Sequence, residues 1–295
     1  MKRKAKAWLY LLPAFLFLGV FLLYPLFDVC VYSVEENYNF ASQSFTGYGA
    51  GNFIHVLSDP FFVSALQNTL LLVVITVPIS TLLALVISTL LSRITVLRKS
   101  LQTIYFLPYV TNTLAVGLVF MILFKKTAYS DGLVNAVITA LGGQSVDFMD
   151  GPYWAKMFVI CAYTVWLVIP FKILIFTIAI SWLDPELESA AMVDGAGSGT
   201  VFFRITLPLI KPAIFYLVIT GFIGAFKAYS DEVALFGSNL NAEGMNTIVG
   251  YVYDMLYSNG GGYPSYAAAA ALIMFAIVLS LTVINLAVRK RALSD

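Results

Sequence analysis

Residues 184–212 read DPELESAAMVDGAGSGTVFFRITLPLIKP, a long polar interruption between two apolar stretches. Asp184 can cap a helix whose first residue is Pro185, and Glu186 and Glu188 fall in the opening turns, where the helix dipole favours negative charge. A short helix therefore begins here. Leu187, Ala190 and Ala191 fall at i, i+3 and i+4, a narrow apolar face that suits insertion into another protein's groove, and Gly195 after Asp194 supplies the stop. Gly197, Ser198 and Gly199 permit a sharp turn. Val201, Phe202, Phe203 and Ile205 then lead to Pro208 and Pro212, which are expected to interrupt regular helix. The pattern predicts a helix, a turn and a re-entry, held near a membrane face.

The composition supplies the membrane. Of 295 residues, 60% are hydrophobic and 11% charged, with a mean hydropathy of +0.88, and a water-soluble fold cannot hide that much apolar surface. A crossing helix needs about 20 apolar residues. The segments that qualify are about 7–34, 65–92, 101–124, 154–183, 211–235 and 266–289, so the chain reads as an all-α, polytopic membrane protein with six helices in one transmembrane domain over 1–295. The first stretch follows Lys2, Arg3, Lys4 and Lys6 and is too long for a cleavable signal, so it stays as an anchor.

Basic residues gather at that N-terminus, at Arg93, Arg98 and Lys99, at Arg204 and Lys211, and at Arg289, Lys290 and Arg291. They alternate with loops about 35–64, 125–153 and 236–265, which hold half of the acids, among them Glu35, Asp59, Asp147 and Glu243. By the positive-inside rule both termini and the 184–210 loop face the cytoplasm. The opposite loops are too short for a ligand-capture domain, and Tyr38 to Asn52 and Ser258 to Tyr263 read as irregular backbone. A net charge of +1, with no basic run interleaved with aromatics, argues against nucleic acid. Cys30 and Cys161 both lie in apolar segments and read as small buried hydrophobes.

Residues 184–212 also carry a family pattern. Ala190, Ala191, Asp194, Gly195, Ala196, Leu207, Pro208 and Pro212 resemble the cytoplasmic signature of permease subunits of binding-protein-dependent ABC importers: Glu-Ala-Ala, Asp-Gly-Ala, then an apolar run closing in Leu-Pro. Ser189 stands where the motif usually has glutamate, and the nearest acid is Glu188. The stretches NFIHVLSDPFFVSALQNTL at 52–70, TIYFLPYV at 103–110, FKAYSDEVALF at 226–236 and SYAAAAALIMF at 265–275, with Trp166 and Phe171, are similar to the carbohydrate-uptake branch of maltose and glycerol-phosphate permeases. The resemblance covers most of the chain.

It implies an ABC importer type I permease fold of six transmembrane helices in a prokaryotic cytoplasmic membrane, and a coupling helix within 185–199 that docks into a separate ATPase. The residues it assigns to coupling are Glu188, Ser189, Ala190, Ala191, Asp194, Gly195, Ala196, Leu207 and Pro208. It also implies a second permease, a different chain; two ATPase copies that use ATP and magnesium; and an extracytoplasmic solute-binding protein. A specific glutamate contact at 189 is lost by the substitution, while docking is expected to persist.

An ionisable residue in mid-span costs about 2.5–3.5 kcal/mol, so each needs protein or water around it. Lys172 follows Pro170, where a helix distortion is expected to free carbonyls for its ammonium; it reads either as a pathway or interface cation or as a structural one. Lys227 and Asp231, four apart, can pair on one helix face. A sugar path needs aromatic rings against pyranose C–H faces and polar groups at the rim. Tyr109, Asn112, Tyr163, Trp166 and Tyr229 are the candidates, with Lys172; membrane-interface anchoring and helix–helix hydrogen bonding are the plainer roles open to each.

The sequence has no G-x-x-x-x-G-K-[ST] loop, no H-E-x-x-H and no G-x-S-x-G, and the single histidine, His55, has no partner at metal-ligand spacing. No catalytic residue, metal or cofactor is therefore assigned to this chain, and ATP must bind another. The alternative reading is an ion-gradient-driven secondary transporter using Lys172, Asp231 and Glu232, against which stands the lack of an inverted repeat. An intramembrane enzyme is remote.

Overall fold

The structure, a computed structural model, describes residues 2–38, 42–92, 94, 98–127, 130–257 and 262–294. Arg93 of the basic turn, residues 39–41, and residues 258–261 of the stretch expected to be irregular, lie outside them. In chain order the helices are α1 (Lys2–Leu18), α2 (Tyr24–Val34), α3 (Gly51–Ser58), α4 (Pro60–Ser92), α5 (Arg98–Val110), α6 (Thr113–Phe124), α7 (Leu133–Ala140), α8 (Tyr153–Ser181) and α9 (Pro185–Val193). They continue with α10 (Ser198–Val201), α11 (Leu207–Leu209), α12 (Lys211–Phe226), α13 (Ser230–Phe236), α14 (Leu240–Glu243), α15 (Ile248–Tyr257) and α16 (Pro264–Ser294). A two-residue ladder, Glu35–Glu36 against Gly47–Tyr48, is the only sheet among the described residues. The fold is all-α, and the loops at about 35–64, 125–153 and 236–265 carry short helices: α3, α7, and α14 with α15.

Four continuous apolar helices are long enough to cross a bilayer: Tyr10–Val34, Pro60–Ser92, Tyr153–Ser181 and Pro264–Arg291. Two bent pairs supply the remainder, giving six crossings when each pair counts as one. The segment expected as a single helix over 101–124 is α5 and α6, bent by 95°. Asn112 causes the break: its side chain accepts from the Leu114 N–H at 2.9 Å and the Ala115 N–H at 3.3 Å, capping α6 and ending α5.

The second pair is Ser198–Leu209 and Lys211–Phe226, bent by 65° at Ile210. Pro212 lacks the N–H that would have continued the ladder. Pro208, by contrast, does not interrupt the helix before it. A π-helical turn at Phe202–Thr206 precedes it and takes up the missing donor, and Ser198 and Gly199 are helical too, so the sharp turn ends at Gly197. The helix expected to run on to 235 stops at Phe226 and restarts at Ser230; the Thr247 hydroxyl donates to the Ala228 carbonyl inside that gap, at 2.7 Å.

The chain divides into two compact units, residues 1–65 with 248–277, and residues 66–247 with 278–295. In the first, Tyr251 is fully buried, edge-on to Phe62 with ring centroids 5.3 Å apart, and its hydroxyl donates to Asp59 at 2.7 Å. Burial and that carboxylate push the Tyr251 phenol well above its ordinary pKa. His55 sits on α3 rather than in a loop and stacks on Tyr266 at 4.1 Å. Cys30 is exposed, not buried, whereas Cys161 is buried.

The second unit holds two apolar clusters. One gathers Phe124, Phe148, Ile160, Tyr163 and Leu235; the other gathers Ala84, Ile173, Phe176, Ile210 and Leu217. Where lipid removes the hydrophobic drive between helices, small residues that allow close approach do much of the association. Gly117 on α6 against Ala234 on α13 is such a place.

Candidate functional site

Helix α9 forms as its sequence requires. Asp184 accepts from the Glu186 N–H at 3.0 Å, Pro185 occupies the first turn, and Glu186 and Glu188 face the positive end of the dipole. At the other end the Ala196 N–H reaches the Ala191 carbonyl at 2.9 Å and the Gly195 N–H reaches Met192 at 3.1 Å, a Schellman close. That close needs the left-handed backbone of Gly195, φ +87°.

The apolar surface of α9 differs from the expected small face. Ala191 and Ala196 are half-buried against their own chain, while Leu187, Met192 and Val193 stand out, Val193 at 88% exposed. Asp194 and Ala190 are exposed beside them. Ser189 turns its hydroxyl back to the Pro185 carbonyl at 2.9 Å and offers little outward. Glu188 points inward and accepts from the Thr206 hydroxyl at 3.1 Å. Leu207 and Pro208 are half-buried, Leu207 against the Phe176 cluster, so they hold the loop and do not form its tip.

A second feature of the same unit is a cavity of about 330 Å³. Lys172, 3% exposed, donates from Nζ to Ser80 Oγ at 2.7 Å, to Thr81 Oγ1 at 2.9 Å and to the Val77 carbonyl at 3.3 Å. Its acceptors therefore come from α4. The distortion expected at Pro170 does not supply them, because α8 runs unbroken through that residue. Tyr109 stacks on Phe171 with centroids 5.6 Å apart and planes 18° from parallel, and both line the cavity with Tyr229 and Asp231. Thr164 lines it as well, with a buried hydroxyl that meets no hydrogen-bond partner among the described residues.

Of the predicted pathway residues, Tyr109, Lys172 and Tyr229 meet at this cavity. The others do not. Tyr163 is fully buried with its hydroxyl on the Thr113 carbonyl at 2.7 Å, Asn112 is spent on its cap, and Trp166 is 53% exposed outside the lining. The Lys227–Asp231 pair does not form, because the gap after Phe226 separates the two residues; Lys156 instead pairs with Glu243, at 2.6 Å. Sequence reasoning missed Thr76, Ser80 and Thr164. A signal existed for two of them: Thr69, Thr76 and Ser80 recur at helical spacing on one face of α4, and all three are buried.

The sequence profile described as binding-protein-dependent transport system inner membrane component matches residues 76–294. The lactose transport system permease protein LacF of Rhizobium radiobacter is 32% identical over 283 residues, covering 94% of this chain and 91% of that one. The arabinooligosaccharides transport system permease protein AraP of Bacillus subtilis (strain 168) is 28% identical over 290 residues, 96% of this chain and 88% of that one. Among solved structures, a chain of a bacterial ABC transporter involved in the import of the acidic polysaccharide alginate has the same fold, with a TM-score of 0.82 at 23% identity over 98% of this chain and 96% of that one. With its membrane-crossing helices and a family profile over most of its length, the chain belongs to the binding-protein-dependent transport system inner membrane components: it is the pore subunit of an ABC importer, a transport protein and not an enzyme, whose ATPase activity lies in a separate partner.

Proposed function

We propose that this permease carries a sugar or oligosaccharide across the cytoplasmic membrane, with the cavity around Lys172 on its path and α9 as the handle by which the ATPase moves it. The single observation that carries the substrate class is the stacked pair Tyr109 and Phe171 beside the Thr164 hydroxyl and the Lys172 ammonium, an apolar platform with polar groups at its rim. The names of LacF and AraP, for lactose and arabinooligosaccharides, support it.

Permeases of this kind work with a second permease, an ATPase and a solute-binding protein. The finer assembly is a heterodimer of permeases with two ATPase copies that bind ATP and magnesium, and the solute-binding protein outside. Both termini and α9 face the cytoplasm, in keeping with the basic clusters. The exposed Leu187, Met192 and Val193 enter the ATPase's groove, and ATP-driven closure shifts the population of inward- and outward-open states by moving the helices behind them.

Purification of the chain from native membranes tests this. A second permease and an ATPase should co-purify, and mass spectrometry of solute captured by the complex should find carbohydrate. A chain that isolates alone, or a complex whose solute contains no sugar or polyol, overturns the reading.

A further inference from the structure

We infer that Glu188 and Thr206 form the tie through which α9 moves the fifth crossing, making Glu188 a positioning residue for coupling. This rests on the reading that α9 receives the ATPase's movement. Ser189 occupies the position where the family motif usually has an acid, yet its hydroxyl is bonded within its own helix. The acid one residue earlier, Glu188, instead leaves the surface, is half-buried, and accepts a hydrogen bond from Thr206 across the turn at Gly197.

Thr206 is 4% exposed and is the last residue of the π-helical turn Phe202–Thr206. Such a turn interrupts the α-helical ladder, because its hydrogen bonds run to the fifth residue back, and bulges of this kind are frequent at functional sites. Left free, it would absorb a push delivered to α9. A carboxylate bonded at its last residue passes the push on, and a charge-assisted bond partly shielded from water is stronger than a neutral one. Beyond Thr206 the chain bends at Ile210, which is 2% exposed and packed in the cluster with Phe176 and Leu217, so the bend is a fixed pivot. Past the pivot, α12 carries Thr220 and Gly221 to the cavity wall beside Lys172. One hydrogen bond thus joins the docking helix to a rigid element that reaches the solute path.

The test uses the complete transporter isolated with its ATPase, in a Cys30→Ser background, spin-labelled through Glu186→Cys on α9 and Tyr216→Cys on α12, both exposed positions. In the unmodified tie and in Thr206→Ser, the label distance should keep one narrow distribution without nucleotide and with ATP and vanadate. Thr206→Val and Glu188→Ala should each widen it about twofold in the ATP state, and the double variant no more than either alone. Additive widening in the double variant, or Thr206→Ser as broad as Thr206→Val, overturns the tie. Val193→Asp leaves the tie intact and should release the ATPase; an ATPase that stays bound to V193D overturns the docking reading instead.

Discussion

Gly117 and Ala234 touch so closely that a side-chain carbon on Gly117 would lie 2.6 Å from the Ala234 methyl and 3.0 Å from its carbonyl oxygen. Neither neighbour is the free end of a flexible chain, so α6 and α13 must part to admit it. Overpacking of this kind costs about 1–3 kcal/mol. Gly117→Ala should therefore lower the thermal midpoint of the detergent-purified transporter, and Ala234→Gly in the same chain should recover part of the loss. A midpoint unchanged in G117A means the helices are less tightly apposed than this.

Lys172 gives an asymmetric expectation. Ser80 also reaches the Thr76 and Val77 carbonyls, and Thr81 reaches Val77, so both hydroxyls remain satisfied when the lysine is removed. The ammonium has no such reserve. Hydrogen bonds to charged groups are worth about 1.5–3 kcal/mol, and stripping one from a buried cation costs more than deleting the cation. Ser80→Ala should thus destabilise more than Lys172→Met, while K172M should be the variant that alters transport. Chemical denaturation followed by tryptophan fluorescence ranks the two, and the reverse order removes the cation from the site.

The crossings and the 184–212 loop were legible in the sequence because hydropathy over a full span and the cap chemistry of Asp184 and Gly195 are local signals. The breaks were not. A window long enough to detect a span averages over the gap after Phe226, although Ser230, Asp231 and Glu232 spell the start of a new helix. Asn112 is legible as a polar residue in a span and so as a candidate for the path, but its Oδ1 caps α6, a local role that span-scale hydropathy does not reveal. The cavity was half hidden for a different reason: α4 marks its buried face with Thr69, Thr76 and Ser80, but α8 is apolar on nearly every face, so nothing in its pattern says which way Lys172 or Trp166 points.

Gly195 closes α9 at φ +87°, with open space where a Cβ would go, so backbone strain alone decides the effect of a substitution. An alanine there costs about 1–2 kcal/mol, and 1.4 kcal/mol is about a tenfold change in binding. Gly195→Ala should weaken ATPase docking about fivefold to thirtyfold in a titration of ATPase onto the stripped permease, and Gly195→Asn should weaken it less, since asparagine tolerates the left-handed region. Equal affinity for all three forms means that the docked helix does not end in this geometry.

Glu232 is 1% exposed on α13, and neither carboxylate oxygen finds a hydrogen-bond partner among the described residues. The helix carries it into the packing against α6 and α8, so the side chain sits where an apolar residue of similar size would fit. An unpartnered buried polar group costs roughly 1–3 kcal/mol, and that cost disappears when an apolar isostere replaces it. Glu232→Leu should therefore raise the thermal midpoint of the purified permease, with Glu232→Gln close to the parent because its amide inherits the same lack of partners. Should E232L instead unfold earlier than E232Q, the carboxyl is hydrogen-bonded within the purified permease itself, and the cost of an unpartnered group does not apply to it.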